Sequence, residues 1–400
     1  MYFIIALLML AILLFAALLL YRRGLLRGPL PMTLGILFLL GAFVLRFFLL
    51  GHETLDYLHF LGPWVQHFRD HGGFLGLAEP VGNYNVPYLY FLALFSYIPL
   101  PDLYLIKLLS IFFDVVLAYY VMRIVGLCSH SANRQRFAFF VLLYLPTVVL
   151  NGAYWGQCDS IYGAFSIMGL YYALKGRPVL SLGAAAFALA FKLQAVFLFP
   201  IYLLFLYGRH IRIPHLPVFP TAYFIAILPA VLLGRPFWDT LLIYVNTANP
   251  VGRGLNYNSP SIFAFVDWTN HDPILARMGI AAAALFVILL WFLVISKRQR
   301  NISPGDFLVL ALLFAVGLPF LLPQMHDRYF FLADVVAVCL GLSRLRYIPA
   351  IFLTQFASLL GYHAYLEGRF LFPMHYGSIA LLLLLIVLLI TLIRWPKRRR

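Results

Sequence analysis

The sequence predicts an all-α, polytopic integral membrane protein, and three observations carry that expectation. Hydrophobic residues make up 64% of the 400 positions and charged residues 11%, with a mean hydropathy of +0.93, far from the balance of a soluble domain. Apolar windows recur along the whole chain with no long hydrophilic stretch between them, so one membrane domain over 1–400 is expected, without a soluble appendage. The alternating pattern of a membrane barrel is absent, which leaves helices as the way to pair backbone groups inside lipid.

Taken in order, apolar runs predict helices over roughly 1–20, 31–50, 102–124, 137–150, 160–174, 178–191, 195–208, 215–234, 274–296, 305–321, 329–343, 348–362 and 376–394. That amounts to about 11–13 transmembrane helices. The first twenty residues have no charged start and no small-residue cleavage site, so they read as a span and not as a removed leader. Several runs are closer to about 14 than about 20 residues, which predicts short, broken or tilted spans. Cys128, Cys158 and Cys339 lie far apart without metal-ligand spacing, so neither a disulfide framework nor a structural zinc is expected.

Basic residues set the expected orientation. With the N-terminus outside, 20 of the 29 Lys and Arg fall on the inner side, among them Arg22, Arg23, Arg27, Lys175, Arg177, Arg298, Arg300, Arg344 and the tail 397–400. The positive-inside rule therefore predicts a multi-pass protein of the cell membrane with a cytoplasmic C-terminus. The net charge of +15 becomes a topology signal and an attraction to anionic headgroups, with no nucleic-acid partner needed. The same orientation sends nearly all acidic residues outward: Glu53, Asp56, Asp70, Glu79, Asp102, Asp159, Asp239, Asp267, Asp272, Asp327 and Glu367.

Chemistry, then, is expected on the outer side. After the apolar run 31–50, the stretch from Gly51 through His52, Glu53 and Asp56 to Trp64 concentrates titratable and aromatic residues. It opens an extracytoplasmic loop over 52–101, whose apolar part 86–100 reads as a re-entrant or juxtamembrane helix. Three further stretches converge on that face. Asn151 to Tyr162 places Trp155, Gln157 and Asp159 in a tight polar turn; Lys192 interrupts two apolar runs, where an ammonium needs an anionic partner; and His326, Asp327 and Arg328 follow another span. Each has a plainer reading, as a helix cap, a snorkelling lysine or an interfacial ion pair.

Read together, these stretches resemble the bacterial polytopic glycosyltransferases of the C-type superfamily, in particular those similar to the second mannosyltransferase of glycosylphosphatidylinositol synthesis. The residues that carry the resemblance are Gly51-His52, Asp56, Phe60 and Trp64; Asn83 to Tyr90; Lys107 and Asp114; Tyr154-Trp155-Gly156-Gln157 with Asp159-Ser160; Lys192-Leu193-Gln194; and Met325 to Tyr329. One departure is that Asn83-Tyr84-Asn85-Val86 stands where relatives often have Asp-Tyr-Pro-Pro, so a second carboxylate is missing. The resemblance implies the C-type glycosyltransferase fold. It further implies transfer of mannose or another hexose, with inversion, from a polyprenyl-phosphate-linked donor to a glycan, lipid or polymer acceptor.

The residue types suit that chemistry. One carboxylate must take the proton from the attacking hydroxyl, and Asp56 is the expected base, with Glu53 or Asp159 next in line. The developing charge on a lipid phosphate calls for Arg328, His326 and Lys192. Trp64, Tyr84, Tyr88 and Trp155 are expected to stack on sugar faces or anchor the interface, with Gln157 and Asp159 binding sugar or acceptor. No cofactor is expected. No His and carboxylate pair shows helix-face ligand spacing, so no metal is expected either. The alternative is a transporter or flippase for a lipid-linked or anionic substrate, using Lys192, Asp114 and Asp159 as an intramembrane relay.

Overall fold

The computed structural model describes residues 2–246, 254–266, 271–297 and 302–396. Asp267, Arg298, Arg300 and the tail 397–400, assigned above to one side or the other, lie outside the described residues. The described residues are 78% helical. Among the described residues seven helices are long and apolar enough to cross a membrane, or eight if one bent pair counts as a span. The chain thus has the helical architecture of a polytopic membrane protein.

In chain order the helices are α1 (Tyr2–Arg22), α2 (Pro29–Leu49), α3 (Gly62–Asp70), α4 (Val86–Phe95), α5 (Asp102–Cys128), α6 (Ala132–Tyr144), α7 (Pro146–Val149), α8 (Asp159–Leu174) and α9 (Pro178–Phe191). They continue with α10 (Pro200–Tyr207), α11 (Val218–Leu232), α12 (Phe237–Leu241), α13 (Ile243–Asn246), α14 (Pro273–Ser296), α15 (Pro304–Leu321), α16 (Phe331–Ser343), α17 (Ile348–Leu366) and α18 (His375–Ile393). Helices α4, α9 and α16 have 10, 14 and 13 residues, short of the ~20 that cross a bilayer untilted. The expected 11–13 spans are therefore not all present as full-length helices. The all-α expectation also needs one addition: β1 (Asn256–Tyr257) pairs in parallel with β2 (Met325–His326).

Local sequence explains the breaks. Proline occupies the first turn of α2, α3, α4, α9, α10, α14, α15 and α17, where its missing N–H costs no hydrogen bond. Pro146 disfavours helical geometry at Leu145, so the run expected over 137–150 stops at Tyr144 and bends by 49°. After α7 it continues as a π-helical segment, Leu150–Trp155. Gly156 then takes a left-handed φ of 82°, which a residue without Cβ adopts at little cost. The chain reverses there and enters α8.

Helices α5, α15 and α16 form the interior, while α1, α2 and α14 present Leu, Ile and Phe outward, as lipid-facing helices do. Two polar ties hold the elements that carry the site. Arg46 on α2 donates to Asp114 on α5 through Nε at 3.0 Å and Nη2 at 2.9 Å, and Ser160 on α8 donates to the other carboxylate oxygen at 2.5 Å. Lys107 on α5 donates to the carbonyls of Leu49 at 3.1 Å and His52 at 2.6 Å, placing a cation at the C-terminus of α2. The segment 50–56 is thereby fixed beside the 150–157 turn.

Candidate active site

Asp56 stands at the centre. It stands at the N-cap of the π-helical segment Tyr57–Leu61, and nearby Thr54 donates to the carbonyl of Trp155 at 3.0 Å. Its carboxylate accepts from Trp155 Nε1 at 2.9 Å and from Gln157 Nε2 on one oxygen, and from Tyr365 Oη at 2.5 Å on the other. A carboxylate has about four acceptor positions, so three fixed neutral donors leave it room for one more. The side chain keeps 13% exposure, enough for that position to be reached.

Arg328 lies alongside, its Nη1 3.9 Å from Asp56 Oδ2, in ionic range without a hydrogen bond. Nη1 donates weakly to Asp327 at 3.4 Å, and the guanidinium sits 5.2 Å from the Trp155 ring centre, a cation–π contact. Its Nε is buried and has no hydrogen-bond partner. A buried unsatisfied donor costs about 1–3 kcal/mol, so this one marks a place where an acceptor belongs.

Lys192 has the anionic partner its position demanded. It forms a buried ion pair with Asp159, whose other oxygen accepts from Asn151 Nδ2 at 2.8 Å; Asn151 also donates to Tyr362 Oη at 3.0 Å. Lys192 further lies 5.4 Å from the centre of the Tyr84 ring. As a phosphate ligand it would have to share its charge with Asp159. Asp159 itself is buried and engaged, which leaves it no free face for a sugar.

His326 stacks on Tyr257 at 4.7 Å, brought there by the pairing of β1 with β2. Burial pushes its imidazole pKa down to about 3, helped by the charges of Arg328 and Lys192. That downward shift disfavours the imidazolium, so of the expected phosphate ligands His326 is the one whose charge its surroundings oppose, although its ring can still offer an N–H. Asp327 moves the opposite way, pushed up to about 7 by burial against the pull of Arg328.

The aromatic residues divide. Trp155 and Tyr88 are 0% and 1% exposed, and Tyr365 stacks on Trp155 with centroids 4.6 Å apart. Stacking of these two on a sugar is likewise corrected, because protein already covers their rings; Trp155 positions Asp56 instead. Trp64 and Tyr84 stay partly exposed and meet edge to face at 5.4 Å. Tyr84 donates to Gln157 Oε1 at 3.1 Å, so Gln157 links Tyr84 to Asp56, and burial pushes the Tyr84 hydroxyl up to about 12. Gly82, at φ 61°, lies under Trp64; a Cβ there would come within 2.2 Å of the indole.

Glu53, next in line as base, is exposed while Asp56 is half-buried among donors. Three site residues escaped sequence reasoning: Tyr365, Tyr362 and Tyr257. Tyr362 and Tyr365 lie at the end of an apolar run and Tyr257 in a polar connection far from the motifs, and only packing brings them in. The metal expectation also meets a new observation, since His67 in the last turn of α3 and His71 at its C-cap stand four apart with Glu79 nearby. Elsewhere, a cavity of about 490 Å³ between α1, α4 and α5 is lined wholly by apolar residues, including Ile12, Phe15, Phe91, Leu94, Leu108 and Phe112.

Comparison of the chain with protein-family models, curated proteins and solved structures gave no match.

Proposed function

We propose that this protein is a membrane glycosyltransferase that moves a sugar, mannose or another hexose, from a polyprenyl-phosphate-linked donor to an acceptor on the extracytoplasmic face, with inversion. The observation that carries the reading is the Asp56–Arg328 pair: a carboxylate held by three neutral donors, beside a guanidinium that retains an unsatisfied N–H. In the proposed step the acceptor hydroxyl gives its proton to Asp56 as its oxygen forms a bond to the anomeric carbon. The bond from that carbon to the phosphate oxygen breaks, and the polyprenyl phosphate leaves with the electron pair, its charge met by Arg328.

The surroundings support this. Trp64 and Tyr84 provide partly exposed aromatic faces for a sugar, and the apolar cavity along α1, α4 and α5 suits an isoprenoid chain. A relay of Lys192, Asp114 and Asp159 for transport has less support, because Asp114 is closed by Arg46 and Ser160, and Asp159 by Lys192 and Asn151. The test is incubation of purified protein with labelled polyprenyl-phosphate sugar and a mixture of acceptors. Release of bare lipid phosphate with label on an acceptor is expected. Movement of intact donor across vesicles without release would replace transfer by flipping.

A further inference from the structure

His67 lies in the last turn of α3 and His71 caps its C-terminus four residues on, and the 3₁₀ turn Gly73–Ala78 folds back so that Glu79 reaches them. One ligand atom from each of the three lies within 4.8 Å of the other two. The imidazole rings stack with centroids 4.1 Å apart, and His71 Nε2 is 3.9 Å from Glu79 Oε2. His71 Nδ1 lies 2.8 Å from the carbonyl of His67. A carbonyl can only accept, so Nδ1 is the donor of this contact, and in the neutral ring that leaves the Nε2 lone pair for a metal, with the ring oriented by its backbone. His67 Nε2 is buried without a hydrogen-bond partner.

We propose that His67, His71 and Glu79 bind one divalent transition-metal ion, zinc by the chemistry of the donors. Two imidazole nitrogens, one carboxylate oxygen and a water make a tetrahedral zinc set, whereas calcium and magnesium take oxygen ligands. Zinc bonds of about 2.0–2.1 Å place neighbouring ligand atoms roughly 3.4 Å apart. The contraction this asks for comes from rotation of Glu79 and His71, whose side chains are 61% and 46% exposed. The ion joins α3 to the start of the run 79–85, whose Glu79 carbonyl already accepts from Arg235 Nη1 at 2.8 Å. That run carries Gly82 and Tyr84, so the metal acts as a clip on the loop bearing the site's aromatic residues. The inference is independent of glycosyl transfer.

The test uses full-length protein in detergent, with any affinity tag removed and metal stripped by chelator, titrated with zinc chloride alone in a calorimeter. One saturable equivalent is expected, with a zinc-dependent rise in Tm. Both should disappear in the His67→Ala/His71→Ala double variant, while its zinc-free Tm stays near wild type. Should the double variant fail to fold, Glu79→Gln, which keeps shape, carries the test with binding weaker by about tenfold or more. The site is refuted by wild-type protein that takes up no saturable zinc, by an equivalent that survives the double variant, or by Glu79→Gln binding as wild type does.

Discussion

Asp114 and Asp56 each accept three hydrogen bonds, but from different kinds of donor. Two of the three on Asp114 come from Arg46, whose Nη1 is also occupied by the carbonyl of Ala42. On Asp56 all three come from neutral groups, and the neighbouring Arg328 stands at 3.9 Å with Nε unsatisfied. In the first arrangement cation and anion satisfy each other, and the product is a rigid joint between α2, α5 and α8. In the second, Trp155, Gln157 and Tyr365 orient the carboxylate while the cation keeps capacity for a ligand. Whether the cation beside an acid is used up or left open thus depends on which donors saturate the acid.

The largest expected effect is at Asp56. Asp56→Asn keeps the shape and most hydrogen-bonding capacity but removes the proton acceptor, so transfer should fall by about 10²- to 10⁴-fold in a protein that still folds and binds donor. A rate within a few-fold of wild type would take the base role from Asp56. At the closed site the loss should appear as stability. Asp114→Ala leaves Arg46 buried without its partner and should cost about 3–5 kcal/mol, read as a lower unfolding midpoint in detergent. Arg46→Met with Asp114→Leu removes both charges and should recover most of that loss; a double variant as unstable as the single would mean the pair does more than hold.

Arg328→Lys sharpens the comparison from the cation's side. A point charge cannot reproduce the planar fork, so KM for donor should rise about tenfold, or ~1.4 kcal/mol, with a smaller change in kcat. Unchanged donor kinetics in Arg328→Lys and Arg328→Ala would make the residue structural. The smallest effect is expected at His326, whose folded pKa of about 3 lies below its ordinary 6.5. Below pH 6.5 the unfolded chain takes up a proton that the folded one refuses, so stability drains away as pH falls from 6.5 toward 3. His326→Gln removes this component, and its Tm should fall less than that of wild type between pH 7 and 4.

Much of the candidate site was legible because its chemistry stands out against an apolar background. Asp56, Trp155, Gln157, Asp159, Lys192 and Arg328 are polar or amphipathic residues in or beside long apolar runs, where each needs a partner. Their grouping around one carboxylate and one buried pair follows from that need. Tyr365 gave no such signal. A tyrosine near the end of an apolar helix looks like any interfacial aromatic, and its bond to Asp56 spans 309 residues. His67 and His71 were passed over in the sequence, because Glu79 joins them only through the fold-back of 73–78.

That this chain is a helical membrane protein follows from composition, because a 64% apolar sequence and unsatisfied backbone groups in lipid leave few other solutions. The break inside the run expected over 137–150 also has a local cause, since Pro146 disfavours helical geometry at the residue before it and Gly156 adopts a left-handed φ at little cost. Tertiary structure alone decided which acids are closed and which stay open. Asp56, Asp114 and Asp159 are the same residue in sequence. They differ in whether a fixed cation, or a set of neutral donors, comes within hydrogen-bonding distance when distant helices pack. The same packing stacked the partly buried His326 on Tyr257 beside Arg328, and made Trp155 brace a carboxylate. Such outcomes depend on distances of a few ångströms between segments a hundred or more residues apart, which local propensity does not encode.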